Sequence, residues 1–137
     1  MESNWLMCTA VPVLLGSPRR CGIAAAAIWR RHRLSAVVCG RRRSLRLLLC
    51  AHTEGTDLSR LSDDGKVWAL RDFAADPDRR TSLLALIPCS PDAEAFLSAH
   101  ANALESDFVL LPCPFDPDGR VSDPLRLLIR SGEPVQT

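Results

Sequence analysis

The chain has 137 residues, of which 47% are hydrophobic and 24% charged, and its 17 basic and 16 acidic side chains leave a net charge of +1. This composition excludes a disordered acidic tail and a coiled coil, and no apolar run reaches the ~18 residues that a membrane-spanning helix needs. The charges are unevenly distributed, because residues 1–53 carry nine arginines and one acid, whereas residues 54–137 carry eight basic and fifteen acidic residues. Segments with net charges of +8 and −7 are expected to have different roles.

Residues 1–50 have the composition of an organellar transit peptide, since they are rich in Arg, Ala and Leu and contain one acid. Their first apolar stretch precedes the basic residues, which is the reverse of the order in a secretory signal. Two short aliphatic runs that end in cysteine, at residues 37–39 and 48–50, resemble plastid-type processing sites. We therefore expect a chloroplast protein whose mature chain begins near Ala51, with a mitochondrial destination as the alternative.

The same basic segment has a second interpretation, as a surface that binds nucleic acid. Arg41, Arg42, Arg43 and Arg46 would then contact phosphates. The segment lacks the interleaved aromatic residues of an RNA-binding stretch and contains many consecutive aliphatic residues, so the composition favours the transit peptide.

The six cysteines lie on both sides of the predicted processing site near Ala51. Four of them precede Ala51 and would leave with the transit peptide, whereas Cys89 and Cys113 remain. Two cysteines inside a reducing organelle predict free thiols, ordinary buried cysteines or a redox pair, not a disulfide framework.

The patterns after residue 50 predict a small α/β domain over residues 51–137. In chain order they indicate a turn at 63–65, a strand over 67–73, a strand over 81–87, a helix from Pro91 to about residue 105 with Ser90 as its N-cap, and a strand over 108–111. A strand, helix and strand at this spacing predict a parallel pair. Cys89 and Cys113 would then lie just past the carboxyl ends of neighbouring strands, where open α/β sheets build their sites.

Several of these pieces resemble the thioredoxin-like superfamily, in its peroxiredoxin or redoxin branch. The matching features are the Leu70, Asp72 and Phe73 unit, the apolar strand from Ser82, a cysteine at a helix start, and the turn over 116–121. The resemblance implies a thioredoxin-like β-α-β core and a thiol-dependent redox protein with antioxidant activity. It also implies a thiol reductant or a protein as partner.

In that family the cysteine after the strand is the redox nucleophile, so the resemblance gives this role to Cys89 and that of a resolving thiol to Cys113. The sequence departs from the family at Asp92, where a thioredoxin has its second cysteine, and at Leu86, where a peroxiredoxin has Thr or Ser. The later strands of such a fold have no counterpart after Arg130, so we expect a truncated core. The alternative function is that of a non-catalytic organellar interaction or accessory protein.

The remaining patterns predict neither a cofactor nor a metal site. Two separated cysteines and the remote His100 lack the paired spacing that zinc sites use. The acidic character of residues 54–137 also disfavours nucleic acid as a partner of that part.

Overall fold

The computed structural model describes residues 10–38, 51–53, 58, 61–77 and 82–126. These residues form, in chain order, β1 (Ala10–Leu15), α1 (Pro18–His32), β2 (Ala36–Val38), β3 (Ala51–Thr53), α2 (Asp63–Ala74), β4 (Leu83–Pro88), α3 (Pro91–Ala99), α4 (Ala101–Leu104) and β5 (Val109–Leu110). The described strands pair in parallel, in the order β3-β2-β1-β4-β5. The predicted α/β class is confirmed. Among the described helices, none is long and apolar enough to span a bilayer.

β1 is the central strand, and both of its faces are covered. Its partners are β2 and β4, and its pairing with β4 runs the length of both strands, from Ala10 opposite Leu83 to Leu15 opposite Pro88. Side chains alternate between the two faces, so Leu14 packs in one core cluster and Val13 in the other. Near-continuous aliphatic strands of this kind are typical of parallel sheets that are buried on both sides.

Each face of the sheet is covered by helices. α1 packs its small and aliphatic residues against one face, with Ala24, Ala25 and Ile28 fully buried. The other face is covered by α2, which contributes Leu70 and Phe73, and by α3. The result is a layered core in which the sheet lies between α1 and the remaining helices.

The described sheet contains strands from both sides of residue 50, where the end of the transit peptide is predicted. Residues 10–38 supply β1, α1 and β2, and β2 pairs with β3 of the following segment. A basic, alanine-rich leader and a parallel strand-helix-strand unit share a composition, with short aliphatic runs around an amphipathic helix, and the boundary stays a prediction. The processing pattern at 37–39 begins within β2, whereas the one at 48–50 lies outside the described residues. Targeting itself stays a prediction.

The predicted strand over 67–73 is wrong, because these residues lie in α2. Ser62 caps this helix by accepting a hydrogen bond from the Gly65 N–H at 3.2 Å. Two aspartates, Asp63 and Asp64, lie in the first turn, where the helix dipole favours negative charge. The β-branched and aromatic content suggested a strand, but the cap and the acidic first turn determine a helix, which leaves Trp68 69% exposed.

The prediction for the following segment is largely confirmed. β4 lies within two residues of its predicted bounds, and α3 begins at Pro91 with Ser90 as its N-cap, accepting from the Ala93 N–H at 3.3 Å. β4 and β5 pair in parallel, as the β-α-β spacing predicts. The single predicted helix is interrupted at His100, which separates α3 from α4. Residues 127–137, where the truncation was expected, lie outside the described residues.

Candidate functional site

The strand order reverses between β1 and β4. From β1 the chain passes through α1 to β2 on one side, and from β4 it passes through α3 to β5 on the other. We call the carboxyl ends of these two strands, residues 15–17 and 88–90, the switch edge. The Cys89 N–H donates a hydrogen bond to the Leu15 carbonyl at 2.7 Å, which holds the two chain segments side by side.

Two helices begin at the switch edge, each directly after a strand and each with the same Ser-Pro start. Ser17 caps α1 by accepting from the Arg20 N–H at 3.5 Å, and Ser90 caps α3. The positive ends of both helix dipoles therefore lie at this edge.

The two helix starts differ in charge. α3 has Asp92 and Glu94 in its first turn, and these acids offset the positive end of its dipole. α1 has no acid in its first turn and carries Arg19 and Arg20 there instead. The α1 side of the switch edge is consequently positive from its backbone and its side chains together.

Gly16 allows the two segments of the switch edge to approach each other. Its φ of +132° belongs to a region that residues with a side chain rarely adopt. A Cβ at this position would lie 2.9 Å from Ser90 Oγ and 3.3 Å from the Cys89 carbonyl carbon. Gly16 and Ser17 are themselves exposed, so the backbone of the turn faces solvent.

The structure brings Cys89 and Cys113 to the same end of the sheet. Leu86 pairs with Leu110, and each of these residues lies three positions before one of the cysteines. Cys89 is fully buried and Cys113 partly exposed. A third thiol, the buried Cys21, joins them from the first turn of α1.

Sequence reasoning missed the α1 side of the switch edge because it assigned these residues to a leader. A signal was present, since the aliphatic run at 10–15 is followed by Gly16, Ser17 and Pro18 in the way that the run at 83–88 is followed by Ser90 and Pro91. Ser-Pro after an apolar run is the start of a helix in both places.

The pKa of the Cys89 thiol lies well above its ordinary value. A side-chain hydrogen bond with Cys21 is the largest cause, followed by burial, and the charges of Cys21 and Cys113 act in the same direction while Arg20 opposes them. A buried thiol with a raised pKa holds little thiolate at neutral pH. This direction is opposite to the one that a redox nucleophile at position 89 requires.

The loop after β5 closes one side of the site. It borders an open pocket of about 280 Å³ lined by residues 113–116 and 120–122. The Arg20 guanidinium lies 5.2 Å from the centre of the Phe115 ring, and the Cys113 N–H donates to the Glu94 carboxylate at 3.2 Å. These contacts attach the loop to the starts of both helices.

His100 contacts α2 and α3 and not the switch edge. Its Nε2 lies 3.6 Å from the Asp63 carboxylate, and its ring centroid is 5.0 Å from that of Phe96. Within the described ranges, no group of His, Cys, Asp and Glu side chains is arranged to hold a metal ion.

Comparison with known proteins identifies no relative of this chain. No protein-family model, curated protein or solved structure matches it. We therefore infer its function from the chemistry of the switch edge.

Proposed function

We propose that this chain is a binding domain for a small anionic ligand, one that carries a phosphate or carboxylate group, and that the ligand binds at the α1 side of the switch edge. The observation that carries the proposal is the reversal of strand order between β1 and β4. At such a point, the connections that follow the two neighbouring strands run to opposite sides of the sheet. In open parallel sheets, ligands bind in the crevice between these two connections.

The charge at the start of α1 specifies the kind of ligand. Arg19 and Arg20 lie in the first turn, where the helix dipole is itself positive. Basic side chains are disfavoured at this end of a helix by about 0.3–1 kcal/mol each. An anion bound there reverses the sign of that interaction and can accept a hydrogen bond from the Arg19 N–H, since Pro18 has no N–H and the Arg20 N–H already donates to Ser17 Oγ.

The turn before the helix supports the same conclusion. Because Gly16 has no side chain and is exposed together with Ser17, a ligand has direct access to the backbone at the start of α1. Arg19 is exposed, whereas Arg20 already contacts Phe115. We therefore assign the direct charge contact to Arg19.

The test compares two arginines of the same helix in the full-length chain. Arg19→Gln removes a charge at the start of α1, and Arg30→Gln removes an equally exposed charge in its last turn. Affinities for inorganic phosphate and for adenosine monophosphate are measured by isothermal titration calorimetry. We expect Arg19→Gln to weaken binding about tenfold, the loss of one charge-assisted hydrogen bond. Arg30→Gln should change it little, and equal effects of the two variants would refute the proposal.

A thiol-dependent redox protein of the chloroplast, with Cys89 as nucleophile and Cys113 as resolving thiol, is the second candidate. The convergence of Cys21, Cys89 and Cys113 at one sheet edge favours thiol chemistry of some kind. The burial of Cys89 and the raised pKa of its thiol do not support a fast nucleophile. Measuring the pH dependence of Cys89 alkylation distinguishes the candidates, since a peroxidatic role requires a thiol pKa below the ordinary ~8.5.

Processing near Ala51 and the proposed site exclude each other. Cleavage there would remove β1, α1 and β2, and with them Gly16 and Arg19. A binding domain also fits the non-catalytic accessory role that the sequence leaves open, provided that residues 10–38 stay in the chain.

A further inference from the structure

Two buried thiols lie at the switch edge, on different elements. Cys89 follows β4, and its N–H donates to the Leu15 carbonyl at 2.7 Å. Cys21 lies one turn into α1, where its N–H donates to the Ser17 carbonyl at 2.9 Å. Both side chains are fully buried in the same core cluster. The backbones of both cysteines are therefore hydrogen-bonded to residues of the switch edge.

The surroundings of the Cys89 thiol agree with this placement. Its Sγ–H donates to the Ile87 carbonyl at 3.8 Å, and Cys21 and Cys113 are both among the groups that raise its pKa. Two cysteines can form a disulfide when their Cα atoms lie within ~7 Å, a condition that two buried thiols of one core cluster at the same strand end can meet.

We propose that Cys21 and Cys89 form a reversible disulfide across the switch edge, and that Cys113 is the thiol through which oxidation enters. Cys21 and Cys89 are 0% exposed, so a dissolved oxidant does not reach them in the folded protein. Cys113 is partly exposed and occupies the position after β5 that corresponds to Cys89 after β4.

The oxidant is a low-molecular-weight disulfide, for which oxidised glutathione is the probe. The Cys113 thiolate attacks one sulfur of the probe, whose S–S bond breaks and releases one glutathione thiolate. The small fraction of Cys89 that is ionised at its raised pKa then attacks Cys113 Sγ and releases the second glutathione thiolate, so this step is slow. The Cys21 thiolate attacks Cys89 Sγ and releases Cys113. Overall, two protein thiols are oxidised to a disulfide, the probe is reduced to two thiols, and the two protons pass from the protein thiols to glutathione.

The linkage can be read directly from peptides of the full-length chain. Trypsin places Cys21 in the peptide 21–30 and both Cys89 and Cys113 in the peptide 81–120, which chymotrypsin divides after Phe96 and Phe108. The protein is incubated with oxidised glutathione, its remaining thiols are alkylated, and the digest is analysed by mass spectrometry. The same protein oxidised in concentrated guanidinium is the control for random pairing.

We expect the linkage of Cys21 to Cys89 to be the main disulfide of the folded protein, to disappear on treatment with dithiothreitol, and to be a minor product in guanidinium. Its absence from the folded protein, or an equal share in guanidinium, would overturn the proposal. Replacing Cys113 tests the route, because Cys113→Ser should slow formation of this bond at least about tenfold without changing the final product. An unchanged rate would contradict entry through Cys113.

This inference depends on the three thiols and not on the anionic ligand. If the disulfide does not form, phosphate binding at Arg19 is unaffected, and if phosphate does not bind, the peptide linkage is still observed. The two proposals involve the same part of the structure, because a disulfide from the first turn of α1 to the end of β4 crosses the switch edge. Oxidised and reduced chains should then differ in phosphate affinity.

Discussion

The position that most depends on the described geometry of the switch edge is Gly16. Substituting Gly16→Ala adds a Cβ that would lie 2.9 Å from Ser90 Oγ, 3.2 Å from the Ser90 backbone nitrogen and 3.3 Å from the Cys89 carbonyl carbon. The Ser90 side chain can rotate away, but the two backbone atoms belong to the start of α3 and the end of β4. The substitution therefore forces β1 and β4 apart at their carboxyl ends.

Two terms set the size of the effect. A residue with a side chain at a φ of +132° is strained by about 1–3 kcal/mol, and overpacking against backbone adds about 1–3 kcal/mol. We expect the free energy of unfolding to fall by about 3 kcal/mol, a large part of the 5–15 kcal/mol typical of a small domain.

Gly119→Ala is the matched control. Gly119 also has a positive φ, +85°, but nothing lies within 4 Å of a Cβ built there. Its substitution should therefore cost only the backbone strain, about 1 kcal/mol. Both free energies are measured by urea denaturation followed by circular dichroism. If Gly16→Ala is no more destabilising than Gly119→Ala, the close approach of β1 and β4 at this edge is refuted.

Three further predictions concern the Cys89 thiol, the hydrogen bond between His32 and Asp123, and the extent of the folded unit. The pKa of the Cys89 thiol is raised in the folded state. The stability that its neutral form contributes is therefore complete below the unfolded pKa of ~8.5 and is lost as the pH rises through the folded pKa. Urea denaturation above about pH 9 should show a fall in the free energy of unfolding that is absent in Cys89→Ala. The His32 Nε2 lies 3.0 Å from the Asp123 carboxylate, with side chains 12% and 19% exposed, so a double-mutant cycle of His32→Ala and Asp123→Ala should give a coupling of about 1–2 kcal/mol. The fragment 51–137 lacks β1 and β2 and should show no cooperative thermal transition by circular dichroism.

Each of these predictions has a clear contrary result. An alkaline decline that persists in Cys89→Ala would assign it to another group. A coupling near zero would mean that the hydrogen bond between His32 and Asp123 does not stabilise the contact of α1 with the loop after β5. A cooperative transition of the fragment 51–137 would show that this segment folds alone, as the predicted domain boundary requires.

The second half of the sheet was predictable because its signals are local and agree with one another. The run at 83–88 is uniformly aliphatic and bounded by turn residues, and Ser90 with Pro91 has the chemistry of a helix start. The parallel pairing of β4 with β5 follows from the length of the connection between them. In this part, local propensity and topology lead to the same answer.

The first half was not predictable because its composition has two physical meanings. An arginine-rich, acid-poor segment with an alanine-rich helix is typical of a leader that binds a membrane surface. The same segment buries Ala24, Ala25 and Ile28 when a sheet is available to pack against. The Ser-Pro start after the run at 10–15 is a local signal of a strand followed by a helix, but a single sequence contains no direct signal of the pairing of β1 with β4. Because this segment was interpreted as a leader, Cys21 and the α1 side of the site were not among the predicted site residues.

The most direct test of the central claim, that an anion binds at the α1 side of the switch edge, is a titration of the isotope-labelled full-length protein with inorganic phosphate, followed by backbone amide shifts in NMR. We expect the largest saturable shifts on the amides of residues 16, 17 and 19–21, since Pro18 has no N–H. Saturable shifts confined to the other end of α1, around Arg30 and Arg31, or no saturable shift at residues 16–21, would contradict it.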